Sequence, residues 1–374
     1  MRYENVTFNY SDSGEEPALA VLVRLVALTD HAFDDGDLSP YLMRRGPDGD
    51  WSLTLSLPST LRSSYQLCPV REPDLAEELE RNAVSEEGWR RLLALGEPDP
   101  ERPSTLTPGT VYGNPDREPS IVELSDAPPQ PWSAPRPGVP SHPLTRYELD
   151  GGSVVHVHRP TDAADALAIV FDAQFWLRTD LASTLDNLAA DGAVPPLSTV
   201  AVESIRGASR HEGLTHPDLF EPFLVDELLP WLRDRWTVDE GRIVLAGQSL
   251  GGLTVSWAAR RHPELFGRVV SSSMAAWWPG DDRGGLSGAQ VVDAYRHSDS
   301  ARVRFFLEAG SRERELLASV RTYRDVLVGR GYDVTYREYE GGHDLVCWRG
   351  GLADGLVALL TEPSDSAPQV SRKT

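Results

Sequence analysis

Residues 243–261 read IVLAGQSLGGLTVSWAARR. The run opens with four apolar residues, Ile243 to Ala246, which read as a short strand. Gly247-Gln248-Ser249-Leu250-Gly251 follows at once, and Leu253 to Arg261 has the character of a helix. A serine between glycines, at a passage from strand to helix, marks a strained turn that presents its hydroxyl as a nucleophile. Glycines two positions to either side let the two backbones approach without a Cβ clash. The N–H of Leu250, beside the helix start, is then placed to stabilise an oxyanion. The five-residue pattern alone is common; its setting between strand and helix makes it informative.

The surrounding sequence repeats this alternation. Apolar runs at Val154–Val157, Leu167–Phe171, Thr199–Val202, Val269–Ser272, Val303–Leu307 and Val334–Tyr339 are separated by helix-like segments. One of these, Glu221–Trp236, carries apolar residues at near-helical spacing. This rhythm predicts an α/β fold with a largely parallel sheet covered by helices on both faces. With the serine turn at its centre, it is the pattern of an α/β-hydrolase domain.

In that fold the acid and then the histidine follow the serine. His343 sits directly after the last expected strand, in Glu340-Gly341-Gly342-His343-Asp344, where two glycines permit a tight loop. His262 and His297 fit less well, the first lying in the helix after the serine and the second in a polar loop. For the acid, the stretch after Val303–Leu307 offers Glu308, Glu313 and Glu315. Glu313 is the choice, because Glu308 falls inside the strand and Glu315 at the next helix. A Ser–His pair without a strong third member stays open, and Asp344 is too close to His343 in sequence to orient it easily. The second oxyanion donor is expected from the loop Phe171-Asp172-Ala173-Gln174-Phe175-Trp176, at the N–H of Gln174 or Phe175.

Working outward toward the N-terminus, the segment 126–143 belongs to a stretch with seven prolines, SDAPPQPWSAPRPGVPSHP. Proline at this density removes backbone donors and favours an extended connector. Before it, Ala20–Leu28, Trp51–Leu57 and Ser64–Pro69 read as strands, with Ser52, Thr54 and Ser56 alternating with leucines. A helical patch is expected around Pro73–Leu95. The expected plan is a small N-terminal antiparallel β-sandwich domain (1–125), a Pro-rich linker (126–143), the α/β domain (144–362) and a disordered tail (363–374). The 57 acidic against 36 basic residues give a formal charge of −21, which disfavours nucleic acid and anionic membranes as partners. Two isolated cysteines, Cys68 and Cys347, match no metal-ligand spacing, and the polar N-terminus lacks the apolar run of a signal peptide. The expectation is a cytoplasmic enzyme with no metal or other cofactor, acting on a small molecule.

At these same residues the chain resembles the enterochelin (ferric enterobactin) esterase family. Asp172–Trp176 is similar to its D-G/A-Q-F-W loop, and Ala246–Leu253 to its A-G-Q-S-x-G-G-L turn. Glu340–Leu352, EGGHDLVCWRGGL, is close to its G-G-H-D-x-x-C-W-R-G-G-L block. Leu28-Thr29-Asp30-His31 and Arg62–Cys68 extend the likeness into the N-terminal region. The segment Ile205–Glu212 matches the family's arginine-bearing segment only loosely.

The resemblance implies a serine esterase cutting trilactone esters of a catecholate siderophore such as enterobactin, or of its ferric complex. An anionic substrate needs cations, so Arg178, Arg206, Arg210 and Arg349 are candidate contacts. Trp176, Trp277, Trp278 and Trp348 are candidates for stacking on aromatic rings, with core packing as the plainer role for any one of them. The alternative reading is an esterase or acyltransferase acting on another aromatic or natural-product ester.

Overall fold

The computed structural model describes residues 2–12, 16–102, 106, 117–161, 164–237, 239–281, 283–298 and 302–361. The expected tail, 363–374, lies outside them. Six strands precede the proline-rich stretch: β1 (Tyr3–Tyr10), β2 (Ala20–Leu25), β3 (Arg44–Arg45), β4 (Trp51–Pro58), β5 (Arg62–Val70) and β6 (Ser120–Glu123). They form two antiparallel sheets, in the orders β1-β4-β3 and β2-β5-β6. Phe8, Val23, Leu25, Trp51 and Tyr65 are among the buried residues that join the two sheets in one apolar cluster. Along β4 the serines and threonine face out, as the alternation requires.

Three expectations for this region change. The strand expected over 20–28 ends at Leu25, and Val26–Asp34 is a helix. Thr29 Oγ1 donates to the Leu25 carbonyl at 2.9 Å, and Asp30 holds the buried Arg24, so polar contacts wind the chain where apolarity alone suggested extension. The patch 73–95 divides into helices Pro73–Glu80 and Glu86–Ala94, with Asn82 at φ 52° between them and Ser85 capping the second. Strand β1 is an additional element that the polar N-terminus concealed.

The eight remaining strands form one sheet in the order β14-β13-β12-β11-β9-β10-β8-β7. They are β7 (Thr145–Glu148), β8 (Val154–His158), β9 (Ala166–Phe171), β10 (Leu197–Ser204), β11 (Ile243–Gln248), β12 (Arg268–Ser272), β13 (Arg304–Gly310) and β14 (Asp333–Tyr339). The pairings from β10 through β14 are parallel, while β7 and β8 add antiparallel strands at one edge. Strand β9 shows why its run is apolar throughout. Leu167, Ile169 and Phe171 face one core, which includes Leu253 and Val255 of the helix Leu250–Arg261. Ala166, Ala168 and Val170 face the other, with Leu185 and Leu352 from the opposite helix layer. Burial on both faces is what a central parallel strand demands.

Residues 124–144 contain neither helix nor strand. They are nevertheless fastened to the helix Leu181–Ala190 and its end. Asn187 Nδ2 donates to the carbonyls of Trp132 and Ala134, Arg136 pairs with Asp191, and His142 meets Asp186.

Candidate active site

Ser249 occupies the turn between β11 and the helix Leu250–Arg261, with φ 54° and ψ −119°. A non-glycine residue in this region is strained and persists only where its surroundings fix it. Here the Ser249 N–H donates to Ser272 O at 3.0 Å, and its carbonyl accepts from Ala275 N at 3.0 Å. Gly247 is required for this turn, because a Cβ there would meet the Gly251 backbone at 2.4 Å. Gly251 is not equivalent: the nearest atom to a Cβ at that position is Asp172 Oδ2, at 3.5 Å.

His343 sits in the loop after β14, its side chain 22 % exposed. Its Nδ1 lies 2.7 Å from Glu313 Oε1, and Glu313 is buried just past the end of β13. Glu313 Oε2 accepts from Gly310 N and from Ser273 Oγ, both at 2.8 Å. Ser273 in turn accepts from the indole N–H of Trp348 at 2.9 Å, and the Trp348 ring stands edge-on to His343 at 4.6 Å. Of the three glutamates weighed from sequence, only Glu313 meets the histidine. Glu308 is inside β13, fully buried, and bonded to Ser272 and Arg337; burial pushes its carboxyl above the ordinary range. Glu315 is exposed on the following helix. Ser273 escaped the sequence reading, although the polar run Ser271–Ser273 at a strand end was its signal.

Asp344 turns away from His343 and toward the N-terminal sheets. Its carboxylate accepts from Ser64 N at 2.6 Å and from the hydroxyls of Ser63 and Ser64. Arg62 N donates to Glu340 O at 3.1 Å, and a Cβ on Gly342 would come within 2.8 Å of Ala27 Cα. The histidine loop is thus sewn to β5 and seated on the helix Val26–Asp34.

On the other side of the serine, the loop after β9 turns at Asp172, which has φ 67° and ψ 49°. Its buried carboxylate accepts from Arg210 Nε at 2.7 Å and Nη2 at 2.8 Å, and from the side-chain amides of Gln174 and Gln248. Burial raises the Asp172 carboxyl, while Arg210 opposes that shift. The guanidinium also lies over the Phe175 ring at 4.9 Å. The Phe175 N–H is already donated to the Asp172 carbonyl at 2.9 Å. Gln174 N, in the first turn of the short helix Ala173–Trp176, is therefore the better placed of the two oxyanion candidates. Leu250 N has the same first-turn position on its own helix.

Ser249 and His343 open into a cavity of about 650 Å³. Trp277, half-exposed, also lines it. The other proposed ligand contacts do not. Trp176 and Trp348 are almost fully buried, with their indole N–H groups bonded to Phe171 O and Ser273 Oγ. Trp278 is half-buried against His211. Arg349 is buried and bonded to Gln130 at 2.8 Å, tying the helix Leu345–Leu360 to the proline-rich stretch. Arg210 faces a separate cavity of about 150 Å³. Arg178 is half-buried, which lowers its pKa, and Arg206 is exposed beside Ser153. The opposite wall comes instead from the helix Val26–Asp34, through Asp30, His31 and Asp34.

Among the described residues, one group has metal-ligating geometry, His142, His158 and Asp186. Both rings already hydrogen-bond to Asp186 Oδ1, at 2.8 and 3.0 Å, fastening the proline-rich stretch to the sheet. Cys68 and Cys347 are both buried and unpaired. No helix of the described residues is long and apolar enough to cross a membrane.

Comparison with known proteins matches residues 155–359 to the Esterase family model, and 5–133 to the model for the enterochelin esterase N-terminal domain. The iron(III) enterobactin esterase of Escherichia coli O6:H1 is 30 % identical over 91 % of this chain and 86 % of its own. The enterobactin esterase of Shigella flexneri, solved in the presence of enterobactin, superposes with a TM-score of 0.78 at 28 % identity, covering 96 % of this chain and 95 % of that one. The ferric enterobactin esterase of Salmonella typhimurium gives 0.79 at 28 %, over 95 % and 93 %. The chain is a carboxylic ester hydrolase and belongs to the enterochelin esterase family.

Proposed function

We propose that this protein is a serine esterase that hydrolyses the trilactone esters of a catecholate siderophore such as enterobactin and so aids iron release. The observation that carries the reading is the contact of Glu313 with His343 Nδ1 in the cavity that Ser249 opens into. In this mechanism His343 takes the proton of Ser249 Oγ as the oxygen attacks the ester carbonyl. The N–H groups of Leu250 and Gln174 hold the oxyanion. The alcohol departs with the proton from His343, and water, deprotonated by the same ring, cleaves the acyl-enzyme. Glu313 fixes the tautomer in which Nε2 acts as the base, and stabilises the imidazolium.

The substrate class rests on the relatives named above, which span both the N-terminal region and the α/β region. We read the chain as a wall-forming N-terminal domain, a fastened linker and a hydrolase domain, working in the cytoplasm, where buried thiols stay reduced. The test is mass spectrometry of products from iron-free and ferric enterobactin, beside fluorophosphonate labelling of Ser249. Labelling without trilactone cleavage would overturn the substrate; no labelling would overturn the mechanism.

A further inference from the structure

The cavity wall has the wrong sign for the anion that the sequence reading supplied with arginines. Around Ser249 and His343 it presents Asp30, Asp34, Asp35 and Glu315, and its one arginine is Arg314. Arg314 is paired with Asp35, and Asp30 with Arg24. Asp34, whose side chain is 66 % exposed, lies 3.7 Å from His31 and also feels Arg314, whose guanidinium is already paired with Asp35. Glu315 is exposed. Of the arginines expected to meet an anion, Arg210 is neutralised by Asp172 and Arg349 is buried on Gln130. The cavity that holds the nucleophile therefore has net negative charge, within a chain of formal charge −21.

We propose that the cavity selects esters carrying an ammonium or guanidinium group close to the scissile bond, with Asp34 and Glu315 as the selecting residues. This rests on the esterase reading and deepens it. The preferred trilactone has cationic groups on its catechol-bearing arms. Uncomplexed catechols, like other phenols, stay protonated and neutral near pH 7. Coordination to iron(III) removes those protons and gives the tris-catecholate core three negative charges, which the cationic arms balance. A ferric complex without such arms stays anionic and is repelled by the acidic wall. At a separation of about 8 Å in water, one carboxylate changes the affinity for a unit charge about twofold, more at low salt.

The experiment uses three aryl esters of matched shape, ending in trimethylammonium, tert-butyl or sulfonate. The expected order of kcat/KM at low salt is cation, neutral, anion, with cation over anion by about tenfold or more. Added salt should narrow the spread, as screening requires. In Asp34→Asn/Glu315→Gln the cation-to-anion ratio, read within the variant, should fall about fivefold or more. An anionic ester cleaved as fast as the cationic one, or a ratio unmoved by the double variant, overturns the proposal. Iron-free and ferric enterobactin form a separate arm. Charge selectivity on the aryl esters without cleavage of either trilactone removes the siderophore reading and leaves the cation preference standing. No cleavage of any ester removes both.

Discussion

Glu313 and Asp172 are both buried carboxylates, each in a loop at the carboxyl edge of the sheet, after strands β13 and β9. Their partners separate them. Glu313 holds an imidazole, which can take and return a proton near neutral pH. Asp172 holds a guanidinium, which remains charged at any working pH. The first pair is suited to moving a proton and the second only to holding a shape. That shape is the turn bearing Gln174, fixed by two bonds from Arg210, two glutamine amides and the Phe175 ring. Similar burial and similar acids thus serve chemistry on one side and positioning on the other.

The largest test of this contrast is at the proton-moving side. Ser249→Ala and His343→Ala should each lower kcat by about 10⁴ to 10⁶ with the fold intact, since triad members act as a unit. Glu313→Gln should cost about 10³ to 10⁴, through loss of the correct histidine tautomer. If Glu313→Gln is nearly silent, a Ser249–His343 dyad describes the site better. On the positioning side, Arg210→Ala should lower kcat by about 10²-fold, the scale of one misplaced oxyanion donor. It should do so equally for neutral and anionic esters. The melting temperature should fall as well, because Asp172 is left buried without its cation, a loss of about 3 kcal/mol or more. A loss confined to anionic esters would return Arg210 to substrate recognition.

Glu308→Gln sharpens the comparison from within one strand. Its partners are Ser272 and Arg337, so stability should drop by about 1–3 kcal/mol while turnover stays near that of the parent. The smallest effect concerns acid. Burial raises the Asp172 carboxyl above its unfolded value, so the folded state binds that proton more tightly. Its ionised form therefore weighs against folding as pH rises through the folded pKa, and acidification relieves this. The same protonation loosens the Arg210 clamp. Activity should consequently decline on acidification before unfolding sets in, which kcat and melting temperature measured at matched pH will reveal.

Much of this was legible in the sequence because it is local. The turn at Ser249, the glycines before His343 and the apolar run of β9 each declare themselves within a few residues. What stayed hidden depends on distant parts of the chain meeting. Arg210 and Arg349 have the composition of anion contacts, and only folding brings Asp172 and Gln130 against them. Asp344 was set aside for its closeness to His343, whereas its partners, Ser63 and Ser64, lie far away in sequence. The segment after Leu25 was apolar enough to pass for strand, so the cavity wall carrying Asp30, His31 and Asp34 could not be placed.

The stitching of the histidine loop to β5, through Asp344 and Glu340, has a consequence for inheritance. Domain shuffling normally exchanges substrate-facing modules while leaving the chemical engine untouched. Here the N-terminal region that lines the cavity also props the loop bearing His343. Chimeras that graft a relative's N-terminal half onto this chain should therefore lose turnover on every ester, even small ones that never reach the foreign wall. Restoring the Ser63–Ser64 and Ala27 contacts in such a graft should recover it.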